Sequence, residues 1–372
     1  MRLSDLKKKL AKTTPPVEDA PLEDVPLERA APPPERPSAP KLVQKAPPPA
    51  PAPIKPAPVP AVDPESARRV YGRAVDAVRA ALATEGPRSA GVFPALADAA
   101  NAIADNIKSG DQALLVWTGC STPADPAVAH SVNVAIFSAH LAAGLGWNRE
   151  ELVRLALAAL LHDISGRKSY RLGLGGLSAQ EEQSIRFSLK EAPRALDQFD
   201  DAPSDLKLLL ASIISQLHKT GPEAPPDAVL DKIQLSAQIV TLCDLYEAMT
   251  RGRDKAPMLA QLAFKHLLGV KERFGHVLVK RLIEQLSPFP PGSLIQLADG
   301  RVGCVVKIDK KMLTRPLVDL WLESDGKPRE TPKLLNLAAE PLVAVLGPAD
   351  ESKVAASGVA EKLEALRTWR GS

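Results

Sequence analysis

Residues 130–165 read HSVNVAIFSAHLAAGLGWNREELVRLALAALLHDIS, and this stretch decides the fold. Val134 and Phe137 follow His130 at helical spacing and turn one face toward a core. In the second half, Leu152, Leu155 and Leu160 bury a helix that ends in the pair His162-Asp163. An imidazole beside a carboxylate at the end of an apolar helix is either a pair of metal ligands or a solvated helix terminus. Company favours the first reading. His130, His140 and His162 are three of only six histidines in the chain. Farther on, Asp244 sits in IVTLCDLYEAM (239–249), where most of the residues around it are apolar. A carboxylate in such a helix is costly unless it meets a cation.

Working outward, the pattern predicts helices throughout 64–287. Asp63 can cap a helix whose first residue is Pro64, with Val70, Ala74, Val78 and Leu82 along one face. Others are expected at about 92–109, 126–144, 149–162, 179–192, 204–218, 230–250, 258–268 and 275–286, joined by short loops. The texture then changes. SLIQLADGRVGCVVKID (293–309) is two alternating apolar runs around Asp299-Gly300, a strong hairpin signal. PLVDLWLESDGKP (316–328) and EPLVAVLGP (340–348) add strands. A sheet of three or four strands is expected there, with little room for a core of its own. A last helix is expected over 350–369.

Composition limits the rest. Of 36 prolines, half fall at or before Pro64, in tracts such as APPPAPAPIKPAPVP (46–60) that favour extended polyproline segments. Residues 1–63 are therefore expected to be a disordered Pro/Ala-rich spacer. At its start Leu3, Leu6 and Leu10 share a face among lysines, which suits a short basic helix. The remaining 300 or so residues suffice for a core, given 45% hydrophobic content. A net charge of +3, from 47 basic and 44 acidic residues, argues against a polycation that coats a nucleic acid polymer. Three distant cysteines, Cys120, Cys243 and Cys304, exclude a disulfide scaffold and a thiolate zinc site. No uninterrupted apolar run reaches the roughly 18 residues of a membrane span, and MRLSDLKKKLAK lacks the apolar stretch of a secretory signal. A cytoplasmic location is the expectation.

The stretch 130–165 resembles the segment of the HD superfamily of metal-dependent phosphohydrolases that carries the first histidine and the His-Asp pair. DKIQLSAQIVTLCDLYEAMTRGRDKAP (231–257) is similar to the segment carrying that family's last aspartate, and PPGSLIQLADGRVGCVV (290–306) resembles the β appendage of its HD-GYP branch. The branch includes cyclic di-GMP phosphodiesterases. The resemblance implies that His130, His162, Asp163 and Asp244 hold one divalent metal ion, for which two imidazoles and two carboxylates suit Mn, Fe or Zn. It makes Asp163 and Lys168 the candidate catalytic residues. It also implies a mainly α protein: a tail (1–63), N-terminal helices (64–125), an all-helical HD-type domain (126–287), a small antiparallel β subdomain (288–348) and a C-terminal helix (349–372).

Other positions depart from the branch. Ile164-Ser165-Gly166 replaces Ile-Gly-Lys after the His-Asp pair, leaving Arg167 or Lys168 to bring a cation to a phosphate. Ser188-Leu189 stands where a His-Pro ligand is expected, and Ser215-Gln216-Leu217 falls on the place of a His-His-Glu. Glu223-Ala224-Pro225 falls on that of Gly-Tyr-Pro, Pro126 replaces an acidic residue, and a small slip would bring in His218 alone. Hydroxyls, an amide and a leucine are no ligands for a second ion, so two-metal hydrolysis is not expected. His140, His266 and His276 are expected on helix faces. Gly173, Gly175 and Gly176, before Ser178, form at best a weak phosphate loop. Three functions follow: a degenerate signalling protein that binds a cyclic dinucleotide or other phosphorylated small molecule, a mononuclear phosphohydrolase, or a scaffold that recruits a protein partner through the tail.

Overall fold

The computed structural model describes residues 64–82, 91–119, 125–164, 202–217, 230–252 and 256–367, with isolated positions between 178 and 199. The expected tail, its basic N-terminal helix, most of the helix at 179–192 and the Arg167-Lys168 pair lie outside the described residues.

Helix α1 (Pro64–Leu82) begins at the expected proline and buries Tyr71, Ala74, Val75 and Val78. It packs against α2 (Val92–Lys108), the short α3 (Ala113–Trp117) and α4 (Pro126–Gly144). In α4 every residue from Ala127 to Ala142 is buried, so it is enclosed on all sides and lies at the centre of the helical layer. It is also long and apolar enough to cross a membrane by length and composition, but 89% of that window is buried inside the fold.

Helix α5 (Arg149–Leu160) starts at a reciprocal cap: Asn148 accepts from the Glu151 backbone, and Glu151 accepts from the Asn148 backbone. The same device, Asp231 with Gln234, starts α7 (Lys232–Arg251), after α6 (Ser204–Leu217). Gly252, at φ 74°, stops α7 in the left-handed region where glycine carries no Cβ penalty. Helices α8 (Ala260–Gly269), α9 (Lys271–Phe274) and α10 (His276–Leu286) complete the described helical layer, with α7 and α10 both packed on α4.

Five strands then form one antiparallel sheet in the order β4-β3-β2-β1-β5: β1 (Leu294–Leu297), β2 (Val302–Lys307), β3 (Leu317–Leu322), β4 (Pro328–Asn336) and β5 (Val345–Pro348). The hairpin at Asp299-Gly300 is as expected, with Leu294 opposite Cys304. The expectation of a sheet with little core of its own is corrected. Ile295, Leu297, Val305, Val318 and Leu320 cluster on one face with Ile308, Leu335 and Leu337. Leu294, Val302, Cys304, Trp321 and Leu322 cluster with Val354, Leu363 and Leu366 of the C-terminal helical segment (α11 Glu351–Val354, a wide turn Ala355–Val359, α12 Ala360–Arg367). Lys362 ties this cover down by donating to Asp319 at 3.0 Å and lying over the Trp321 ring. Gln112 joins the helical layer to the sheet through both its amide atoms and the Ile308 backbone.

Candidate metal centre

Four side chains from three helical segments meet at the centre of the helical layer. His130 comes from the first turns of α4, His162 and Asp163 from the turn that ends α5, and Asp244 from the middle of α7. The packing of α4 against both α5 and α7 brings them together. His130 Nε2 lies 3.1 Å from His162 Nε2, 3.1 Å from Asp244 Oδ1 and 3.7 Å from Asp163 Oδ2. His162 Nε2 lies 3.8 Å from Asp163 Oδ1 and 3.9 Å from Asp244 Oδ1. His130, His162 and Asp163 are all buried and offer ligand atoms within 4.8 Å of one another. All four residues named from the sequence as metal ligands are thus neighbours.

The partners of the imidazoles decide what the nitrogens can do. His130 Nδ1 is 2.8 Å from Glu247 Oε2, and His162 Nδ1 is 2.6 Å from the Ala159 carbonyl oxygen. A carboxylate and a carbonyl only accept, so each Nδ1 donates there, and in the neutral ring each Nε2 keeps a lone pair. Two such lone pairs 3.1 Å apart, with a carboxylate oxygen at the same distance, repel one another unless a cation lies among them. Donors around one ion with bonds of about 2.1 Å have similar mutual spacings. The residues fit a divalent ion. Burial holds the His162 imidazole below its ordinary pKa and the His130 ring adds to this, while Asp163 and Asp244 act the other way. A neutral ring is the ligating form.

Sequence reasoning assigned the costly carboxylate of this helix to Asp244. The structure corrects that: the Asp244 side chain is 19% exposed, and the deeply buried carboxylate is Glu247, one turn on, at 5%. Its second oxygen, Oε1, accepts from Asn133 Nδ2 at 3.3 Å, and Asn133 Oδ1 accepts from the Tyr71 hydroxyl at 3.1 Å. The only sequence signal for Glu247 was its i+3 spacing from Asp244, which puts both on one face of α7. Asn133 stands at the same spacing from His130.

The other candidates fare differently. Lys168, proposed as catalytic, lies outside the described residues, as do Arg167, Gly173, Gly175, Gly176, Ser188-Leu189, His218 and Glu223-Ala224-Pro225. Ser215-Gln216-Leu217 ends α6, and the buried Gln216 leaves its Nε2 without a partner among the described residues. His266 and His276 are exposed. His140 is instead buried on α4, its Nε2 without a partner among the described residues, and burial with the nearby Lys310 charge pushes its pKa down to about 3.

Comparison with known proteins adds three findings. The HD domain family matches residues 127–249, which include all four converging side chains. The chain is 25% identical over 238 residues to the cyclic di-GMP phosphodiesterase PA4108 of Pseudomonas aeruginosa, covering 62% of this chain and 56% of that protein. It therefore spans little more than half the length of the curated relative it matches. Among solved structures it is similar to Bd1817, a HDG"Y"P protein from Bdellovibrio bacteriovorus, at 17% identity and a TM-score of 0.43, covering 61% of this chain and 73% of that one.

Proposed function

We propose that this HD-domain protein of the HD-GYP branch is a bacterial, cytoplasmic signalling protein related to the cyclic di-GMP phosphodiesterases, with a single divalent-metal site and weak or no hydrolysis of cyclic di-GMP. The observation that carries the reading is the convergence of His130, His162, Asp163 and Asp244 on one point, with both Nε2 lone pairs turned inward. His130 and His162 hold the ion through Nε2, and Asp163 and Asp244 supply its negative charge. When bound, such an ion lowers the pKa of a coordinated water and polarises a phosphoryl oxygen. Asp163 is also the proposed catalytic carboxylate of the site. Lys168, five residues on, is the proposed source of a cation toward that phosphate.

Weak turnover follows from what the neighbouring positions supply. In-line displacement with two ions needs ligands for both, so that attacking and leaving oxygens are clamped together. Ser188, Leu189, Ser215, Gln216 and Leu217 contribute no imidazole or carboxylate. The protein then binds a cyclic dinucleotide or another phosphorylated small molecule more than it consumes it. The Pro/Ala-rich segment before Pro64 serves as a spacer toward a protein partner.

Two measurements test this together. Plasma mass spectrometry of the purified chain loaded with Mn²⁺ or Fe²⁺ should find one ion per chain, and cyclic di-GMP should persist in its presence. Two ions per chain with brisk linearisation would overturn the reading. The intact four-ligand set favours a second reading, a mononuclear phosphohydrolase acting on another phosphoester. A phosphatase screen in which Asp163→Ala abolishes a measurable activity would establish it.

A further inference from the structure

We propose that α1, which precedes the residues matched by the HD domain, is a working part of the metal centre, and that Tyr71 is the residue through which it acts. The inference rests on the reading of His130 as a metal ligand. It concerns how that ligand is held.

Hydrogen-bond polarity links α1 to the His130 ring. Glu247 is a carboxylate and accepts at both oxygens: from His130 Nδ1 at Oε2 and from Asn133 Nδ2 at Oε1. Asn133 must therefore turn its amide nitrogen to Glu247, which turns its carbonyl oxygen to α1. There the Tyr71 hydroxyl donates to it at 3.1 Å. Each group fixes the next in one sense, ending with a proton on His130 Nδ1 and a bare Nε2 facing the other ligands. Were the Asn133 amide reversed, its carbonyl would meet the carboxylate, two acceptors in contact. Glu247 sets that orientation, and the Tyr71 hydroxyl completes it by donating to the Asn133 carbonyl oxygen left facing α1.

Burial sharpens the case. Tyr71 and Asn133 are 0% exposed, His130 1% and Glu247 4%, so water does not substitute for a missing partner. The other buried residues of α1 are Ala67, Gly72, Ala74, Val75, Ala77, Val78 and Ala81, all without a polar side-chain atom. For packing alone a phenylalanine would fill the place of Tyr71. Its hydroxyl is explained by Asn133. Tyr71 is a positioning residue three hydrogen bonds from the ligand nitrogen.

The test compares Mn²⁺ affinity by titration calorimetry, and the Tm of the metal-free protein, in full-length wild type, Tyr71→Phe, Glu247→Gln, the double variant and Val75→Ala. Losing an outer partner of a metal-bound histidine costs about 10- to 100-fold in affinity, so a link two steps farther out should cost about three- to tenfold. We expect that loss in Tyr71→Phe, and no further loss when Tyr71→Phe is added to Glu247→Gln, where the relay is already cut. Val75→Ala loosens α1 without touching the relay, so it should lower Tm and leave Mn²⁺ affinity in place. Spectra of the side-chain amides in ¹⁵N-labelled, metal-free protein should show the Asn133 resonance displaced in Tyr71→Phe and held in Val75→Ala. Wild type that binds Mn²⁺ together with a Tyr71→Phe protein of equal affinity and unchanged Asn133 amide resonance would overturn this inference alone. Wild type that binds no Mn²⁺ would overturn it along with the metal reading.

Discussion

Asp244 and Glu247 stand three residues apart on α7 and grip the same ring of His130 from opposite sides, Asp244 Oδ1 at 3.1 Å from Nε2 and Glu247 Oε2 at 2.8 Å from Nδ1. One carboxylate faces Nε2 and the other accepts from Nδ1. Replacing Glu247 by glutamine keeps the shape but presents an amide. Whichever way it turns, one of its two partners, His130 Nδ1–H or Asn133 Nδ2–H, meets another donor. We expect Glu247→Gln to weaken Mn²⁺ binding by about tenfold or more. Titration calorimetry checks it, and an unchanged affinity would remove Glu247 from the site.

Removing a proposed ligand outright should do more. Asp244→Ala leaves two imidazoles and one carboxylate, and it takes away the oxygen nearest His130 Nε2. The expected outcome is loss of stoichiometric metal after dialysis, read by plasma mass spectrometry. The folded protein should survive, because the Asp244 side chain is partly exposed and its deletion leaves no large cavity. A variant that still retains one ion per chain would mean that Asp244 is not a ligand.

Much of this was legible in the chain because its signals are local. The apolar runs of α4 and α5, the proline that opens α1, and the Asp299-Gly300 turn each name an element without reference to the rest. Helices α3 and α9, at five and four residues, are too short for a period to register. Strand β4 was hidden for another reason: it is an edge strand, and PRETPKLLN carries charge where an inner strand would alternate. Within the site, two acids three residues apart share a helix face, and spacing does not say which lies deeper. That depth is set by how α7 packs on α4, a tertiary fact, so Glu247 was passed over for Asp244. Tyr71 and Asn133 lie 62 residues apart, and nothing local links them.

The sheet offers a test that is independent of the metal. Gly303 lies in β2 beside a register irregularity, and a Cβ there would sit 2.5 Å from the Asp319 backbone oxygen and from Val318 Cγ1. The strand backbone itself must move to relieve such a contact. Gly303→Ala should destabilise the protein by about 1–3 kcal/mol, in the range of other overpacking changes. Chemical denaturation measures it. A neutral result would mean that β2 and β3 separate at no cost.

The last prediction concerns acid. His140 is buried on α4 and its pKa is pushed down to about 3, mainly by burial and further by Lys310. Lys310 is itself held below its ordinary value by burial and donates to Gln285. In the unfolded chain His140 takes up a proton near its ordinary pKa of 6.5, whereas the folded chain resists until about pH 3. The unfolded state thus binds more protons throughout that interval, so stability falls as pH falls. The contribution is present above about pH 6.5 and lost progressively below it, with a limit on the order of 5 kcal/mol. One unit below 6.5 the loss is already about 1.4 kcal/mol. His140→Met keeps nearly the same volume and removes the titration. On going from pH 7.5 to 5.5, its Tm should fall less than that of wild type by about 2–4 °C. The other histidines titrate alike in both proteins and cancel in the difference. Equal acid sensitivity in the two would mean that His140 reaches solvent in the folded protein.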